Sequence, residues 1–403
     1  MYMNIEYLII ANIKLGLIDD ITSEKNKNLI FVYCPPKVGS TSLVSSIRLS
    51  CSHCVTILHV HDEKMLEVLC NIQNITINDI IQYNRFLGKN VTVIDIYRTP
   101  IEHKISAFFE NISYHFNNTE EKINKYDVNL LIRRFNQLFP HLTNTDYYKV
   151  VYNLPYTPRF FDFNKKYIMV NMNGIKYIKL RLQDATTEWT SILRSELNLS
   201  VFIVKDYATD QKIISDVFNT FKSAYKIPEN YLETFSSSSA NIDNGSSSID
   251  FYLSAAEKDK YINEWNTKKT DSFNSFTADE YILYSSISRE NKINELYQQN
   301  IQTRHYIDDG CCCRRCSKKR VKILVMIRNG IALSEKDYNV HSNEIIRRLR
   351  LRQQPQPQQL RITPLIYIEP NNVVQNKSTK YVFSTKAQPR EQTPLFKKGF
   401  MFK

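Results

Sequence analysis

Lys37, Gly39 and the hydroxyl run Ser40, Thr41 and Ser42 follow an apolar segment and two prolines in FVYCPPKVGSTSLVSSI, residues 31–47. Those residue types in that order suit an anion. Backbone N–H groups in a turn ahead of a helix, with the helix dipole behind them, hold phosphate-like groups. Pro35 and Pro36 stiffen the exit from a strand, and Gly39 lets a backbone approach closely. The three hydroxyl residues add donors and first-turn amides, and Lys37 adds a mobile charge. The ATP-type loop, GxxxxGK[ST], sets its Lys directly before the hydroxyl residue. Here Lys37 precedes the Gly by two residues, Val38 stands between them and the first Gly is absent, which counts against ATP or GTP hydrolysis.

Residues 36–42, PKVGSTS, resemble the 5′-phosphosulfate loop of sulfotransferases that use 3′-phosphoadenosine 5′-phosphosulfate (PAPS), roughly P-K-x-G-[ST]-[ST]-[ST], at every defined position. The resemblance implies that Pro36, Lys37, Val38, Gly39, Ser40, Thr41 and Ser42 bind the donor. That family has a second element, for the 3′-phosphate: an Arg ending a later strand and a Ser about eight residues on. VTVIDIYRTPIEHKISAFFEN supplies Arg98 and Ser106 in those places. The local chemistry is coherent. Thr99 suits a helix N-cap, Pro100 the first helical position and Glu102 a capping box. Arg98 offers a fork matched to a phosphate monoester.

Sulfuryl transfer needs a base for the acceptor hydroxyl and positive charge for the leaving oxygen. Lys37 is the candidate for the second role. HVHD, residues 59–62, ends a strand and offers His59 and His61, two apart and therefore on one face of it. This spacing resembles the H-x-H of uronosyl 2-O-sulfotransferases, where histidine is the base. A bacterial group of capsular polysaccharide synthesis proteins is also similar, in KVGSTS-like, H-x-H-like and R-x-P-I-E-type segments. Spacing does not separate His59 from His61, with His59 slightly favoured, and Asp62 or Glu63 could orient or replace them. A metal reading would join Cys51, Cys54, His59 and His61 in a cramped set; no metal is expected.

The resemblance implies a hydroxyl of a glycan as acceptor. Arg133, Arg134, Lys165 and Lys166 are candidate contacts for an acidic glycan, and the FFDF run at 160–163 could stack on sugar rings. Two rival readings stay open: a nucleotide-dependent phosphotransferase with a variant loop, and a non-catalytic polyanion- or glycan-binding protein on a decayed sulfotransferase fold.

The elements that must position these residues read as β-α-β-α-β. Short β-branched runs at 28–34, 55–60 and 91–97 alternate with helical patterns at 40–50, 62–72, 76–87 and 100–116. Residues 166–181 give two strands about Asn173-Gly174, and helices follow at 186–197 and 252–266. The expected fold is α/β: a P-loop-like three-layer domain with a central parallel sheet flanked by helices, plus a basic C-terminal extension. The boundaries are an N-terminal arm at 1–25, a sulfotransferase-like domain at 26–300 and a partly disordered tail at 301–403.

Charge follows that division. Net charge over the 403 residues is +12; residues 301–403 hold 21 Lys+Arg and 7 Asp+Glu, which leaves residues 1–300 with 32 and 34. Overall charge therefore says little about the substrate of the near-neutral body. The tail, with CCCRRCSKKR and RRLRLR, suits contact with a polyanion or a membrane surface, through the 311–320 Cys/basic cluster in the second case. No specific nucleic-acid motif accompanies it. The start of the chain lacks a signal h-region or membrane span, and a cytoplasmic location is expected.

Overall fold

The computed structural model describes residues 5–17, 19–142, 161–206, 208–209, 212–228, 231–232, 249–267, 274–286 and 314–331, with the backbone alone at 249–250 and 315–317. Phe160, the serine-rich stretch 236–248, Cys311–Cys313, RRLRLR and the Gln/Pro stretch lie outside the described residues.

Five strands form the central sheet: β1 (Asn28–Tyr33), β2 (Thr56–Val60), β3 (Asn90–Tyr97), β4 (Tyr167–Met172) and β5 (Ile175–Arg181), in the order β2-β1-β3-β5-β4. The first four in that order run parallel; β4 is antiparallel at the edge. The β4–β5 hairpin turns at Asn173 and Gly174, with φ of 52° and 75°. A two-residue turn with both φ values positive matches strand twist, which is why Asn-Gly marks it.

The strands alternate between two covered faces. Leu29, Phe31, Tyr33, Val91 and Val93 pack under α1 (Ile5–Leu15), α3 (Glu63–Cys70) and α4 (Ile77–Phe86). Ile30, Val32, Ile94, Ile96 and Ile178 pack under α2 (Ser40–Cys51) and α7 (Trp189–Leu197). Helix α1 is an integral part of this core, not an arm: Ala11 is buried, and Asn12 exchanges amide hydrogen bonds with Asn84 of α4 at 2.9 and 3.2 Å.

A second, aromatic core joins α5 (Pro100–Glu110), α6 (Val128–Leu138), α8 (Ser215–Ala224) and α9 (Ala255–Trp265) around Phe108, Phe135 and Phe221. Helix α10 (Ala278–Ser286) lies against it through Tyr281 and Tyr284. Helix α11 (Arg314–Arg328) falls in the stretch expected to be tail, yet packs on the α/β body. Ile323, 1% exposed, sits with Leu324 and Ile327 against Leu49 of α2 and the segment holding Phe202 and Val204. No helix of the described residues is long and apolar enough to cross a membrane.

Candidate active site

Strand order decides where a site can form. From β1 the chain passes through α2 to β2 on one side, and β3 then pairs on the other side of β1. The loops leaving the carboxyl ends of β1 and β3 therefore diverge, and the crevice between them is where ligands settle in such sheets. The two candidate motifs occupy these two loops. Arg98, just past β3, donates from Nη1 to the carbonyl of Lys37 at 2.7 Å. One turn into α5, His103 meets the Pro36 carbonyl through Nε2 at 2.7 Å. A carbonyl only accepts, so Nε2 carries the proton.

Both helices that start at this crevice lack a side-chain cap. Gly39 is the N-cap of α2 with φ of 89° and offers no side chain. Thr99 is the N-cap of α5, and Pro100 starts the helix as expected. The expected capping box is not made, because the Thr99 hydroxyl turns to the Glu102 carboxylate instead of a backbone N–H. The α2 N-terminus thus presents first-turn amides and partial positive charge without a side-chain cap, whereas at α5 Pro100 has no N–H and the Ile101 N–H donates to Tyr261 Oη at 2.9 Å.

The loop's other residues serve the fold. Lys37 has a left-handed backbone, φ 69°. A Cβ on Gly39 would lie 2.4 Å from Leu182 Cδ1, so the approach that requires glycine is made by Leu182. Val38 is in the core, Ser40 is 2% exposed and Thr41 is half-buried. Ser42 Oγ accepts from the Asp206 N–H at 3.0 Å and donates to the Asp206 carbonyl at 3.1 Å. Ser106 lies buried on α5, 4% exposed.

Lys37 reaches across to the end of α5. Its Nζ is 2.9 Å from Glu110 Oε2, and Lys212 Nζ meets the same oxygen at 2.5 Å. Burial alone would raise the Glu110 carboxyl, but the two ammonium groups outweigh it and hold that carboxyl well below the usual range. Lys37 is lowered, first by burial and then by Lys212 and Arg98, despite the Glu110 carboxylate. The two cations account for the direction at Glu110, and burial for the direction at Lys37.

His59 stands on the neighbouring strand and His61 just past its end. His59, at the end of β2 opposite Val32, is 6% exposed, and its ring meets the ring of His61 edge-on at 4.5 Å. His61 Nδ1 lies 3.0 Å from the Cys34 carbonyl, which fixes its proton on Nδ1 and leaves the Nε2 lone pair available. Burial lowers the His61 pKa, and Lys37 and Glu110 are close enough to act on its charge. Asp62 and Glu63 are engaged elsewhere. Asp62 caps α3 by accepting from Met65 N at 2.7 Å. Glu63 accepts from Tyr33 Oη at 3.1 Å and from Ile77 N at 2.7 Å.

The candidate acceptor contacts are scattered. Arg134 lies over the rings of Phe116 and Tyr284 at 5.8 and 5.3 Å, and Arg133 is exposed on the same helix. Lys165 is 3.8 Å from Asp162, and Lys166 lies in the turn just before the edge strand, with φ of 65°. Phe161 is buried with Arg181 stacked on it at 4.6 Å, so that ring belongs to the core. Among the described residues no three His, Cys, Asp or Glu side chains converge as a metal set, and Cys51 Sγ donates to the Ser200 carbonyl at 3.4 Å.

Glu110, Lys212 and His103 are the site residues that motif reading missed. His103 and Glu110 sit in the quoted Arg98–Ser106 stretch or just past it, and a buried carboxylate facing a loop lysine is visible only once α5 is folded back. Lys212 has no local signal. Comparison with protein-family models, with curated proteins and with solved structures finds no match.

Proposed function

We propose that this chain is a PAPS-dependent sulfotransferase acting on a hydroxyl of a carbohydrate. The observation that carries the reading is the meeting, at one sheet crevice, of the uncapped α2 N-terminus with Arg98, joined by the Arg98–Lys37 hydrogen bond and flanked by Lys37 and Lys212. That arrangement fits a ligand with two anionic ends. The α2 amides of Ser40, Thr41 and Ser42 would hold the 5′-phosphosulfate, and Arg98 with Ser106 the 3′-phosphate. PAPS supplies the sulfuryl group and needs no metal for it.

In this reading His61 is the base in preference to His59. Its Nδ1 proton is committed to the Cys34 carbonyl, so Nε2 is oriented to receive the acceptor hydroxyl proton. Burial favours the neutral ring, which is the form a base requires. Lys37 neutralises charge on the leaving oxygen, and Lys212 beside it adds a second cation.

Thermal unfolding of the full chain with 3′,5′-bisphosphoadenosine tests the donor site, with 5′-AMP, ADP and ATP plus Mg²⁺ as controls. A ligand at a hundred times its dissociation constant adds about 2.7 kcal/mol. The expected result is selective stabilisation by the bisphosphate, lost in Lys37→Ala and Arg98→Ala. Equal or greater stabilisation by ATP with Mg²⁺ would replace the proposal with a phosphotransferase. No stabilisation by any nucleotide would leave a polyanion-binding protein without a donor site.

A further inference from the structure

We infer that the outer face of α11 is a docking surface for an anionic phospholipid bilayer. Helix α11 has two opposed faces. Ile323, Leu324 and Ile327 pack inward on Leu49, Phe202 and Val204. Arg314, Lys318, Val321, Lys322, Val325 and Arg328 are all exposed. At 3.6 residues per turn these six fall within an arc of about 120°. The valines lie near its centre, with Lys318 and Lys322 to one side; Arg328, on the other, turns its guanidinium over the Phe202 ring of the body.

Val321 is 62% exposed, Val325 46% and Ile331, just beyond the helix, 52%. From 311 to 334 the sequence holds seven Lys+Arg and no Asp or Glu. Cations alone would serve any polyanion. The apolar centre decides between partners, because exposed valine side chains gain nothing from the phosphates of a nucleic acid or the sulfates of a glycan. They gain at the headgroup–acyl boundary, where a helix lies in the plane with its apolar residues inward and its lysines and arginines reaching to anionic headgroups. The inward face is occupied by the protein core, so the helix would lie on the membrane while remaining part of the body. This inference does not depend on the chemistry proposed for the sheet crevice.

The test uses the full chain and vesicles of phosphatidylcholine, alone or with one-third phosphatidylserine. Trp189 and Trp265 are 0% and 1% exposed, so in a Val325→Trp variant the lipid-sensitive signal reports this face. The expected result is quenching of that emission by brominated acyl chains in anionic vesicles and not in neutral ones. Lys318→Gln with Lys322→Gln should weaken partitioning about fivefold per charge. Val321→Ser with Val325→Ser should weaken it as well, with unfolding temperature unchanged. Vesicle binding without quenching at position 325, or no binding to anionic vesicles, overturns the proposal. So does binding to RNA or heparin that persists in the valine variant while vesicles fail to bind.

Discussion

His103 shows what a single buried group contributes here. Its Nε2–H holds the Pro36 carbonyl and so ties α5 to the loop that follows β1. Burial, aided by Arg98, Lys104 and Lys179, pushes its pKa down to about 3 although the Pro36 bond opposes this. In the unfolded chain the same ring takes a proton near pH 6.5. Between about pH 6.5 and 3 the unfolded state therefore binds more protons than the folded one. Stability falls as pH falls through that window, by about 1.4 kcal/mol per pH unit from this group. His61, also lowered by burial, acts in the same direction. His103→Gln keeps an N–H donor and removes the titration. Urea unfolding at pH 7.5 and 5.5 should show the wild type losing about 1 kcal/mol more than the variant between those values; equal losses would mean that the ring is protonated in the fold.

At the scale of elements, α2 is held to the segment after α7 by a row of serines. Ser50, Ser46 and Ser42 accept from the N–H groups of Phe202, Val204 and Asp206 at 3.0, 2.8 and 3.0 Å. Four helical residues rise about 6 Å and two extended residues about 6.6 Å, so the i, i+4 serines and alternate N–H groups keep step. Ser46→Ala would leave a buried Val204 N–H without its acceptor and should cost about 1–3 kcal/mol in denaturant unfolding, where an exposed serine would cost less than 0.5. The same row explains what could be read in advance. The strands and their helices were legible because β-branched runs and 3.6-residue periodicity are local, and the Asn173-Gly174 hairpin because its turn chemistry is local. Ser42 reads from its motif as a ligand group, and its hydroxyl is also the first rung of this ladder. That role depends on residue 206, and no spacing within PKVGSTS reveals it. The Lys37–Glu110–Lys212 cluster and the fixed tautomer of His61 are likewise products of distant segments meeting: the loops after β1 and β2, the end of α5 and the stretch before α8; the sequence pointed to the crevice but not to its charge arrangement.

At the scale of the molecule, α11 changes where the folded body ends. Composition shifts sharply near residue 300, and a basic, cysteine-bearing stretch reads as tail; helix periodicity inside it, with Ile323, Leu324 and Ile327 on one side, outweighs that reading once Leu49 and Val204 are seen to need cover. The helix also brings Arg328 over the Phe202 ring at 5.0 Å, on the same extended segment that the serines hold. Helix α11 thus packs both on α2 and on the 202–206 segment that the serines hold to α2. Ile323→Ala removes a side chain 1% exposed. It should cost about 2–4 kcal/mol in unfolding free energy, the range for truncating a buried isoleucine. A loss of that size in a single cooperative transition, followed by tryptophan emission and by far-ultraviolet circular dichroism together, would place α11 within the folding unit of the sheet. A change below 0.5 kcal/mol would instead make α11 an appendage, and the lipid-facing surface would then have to act without the body behind it.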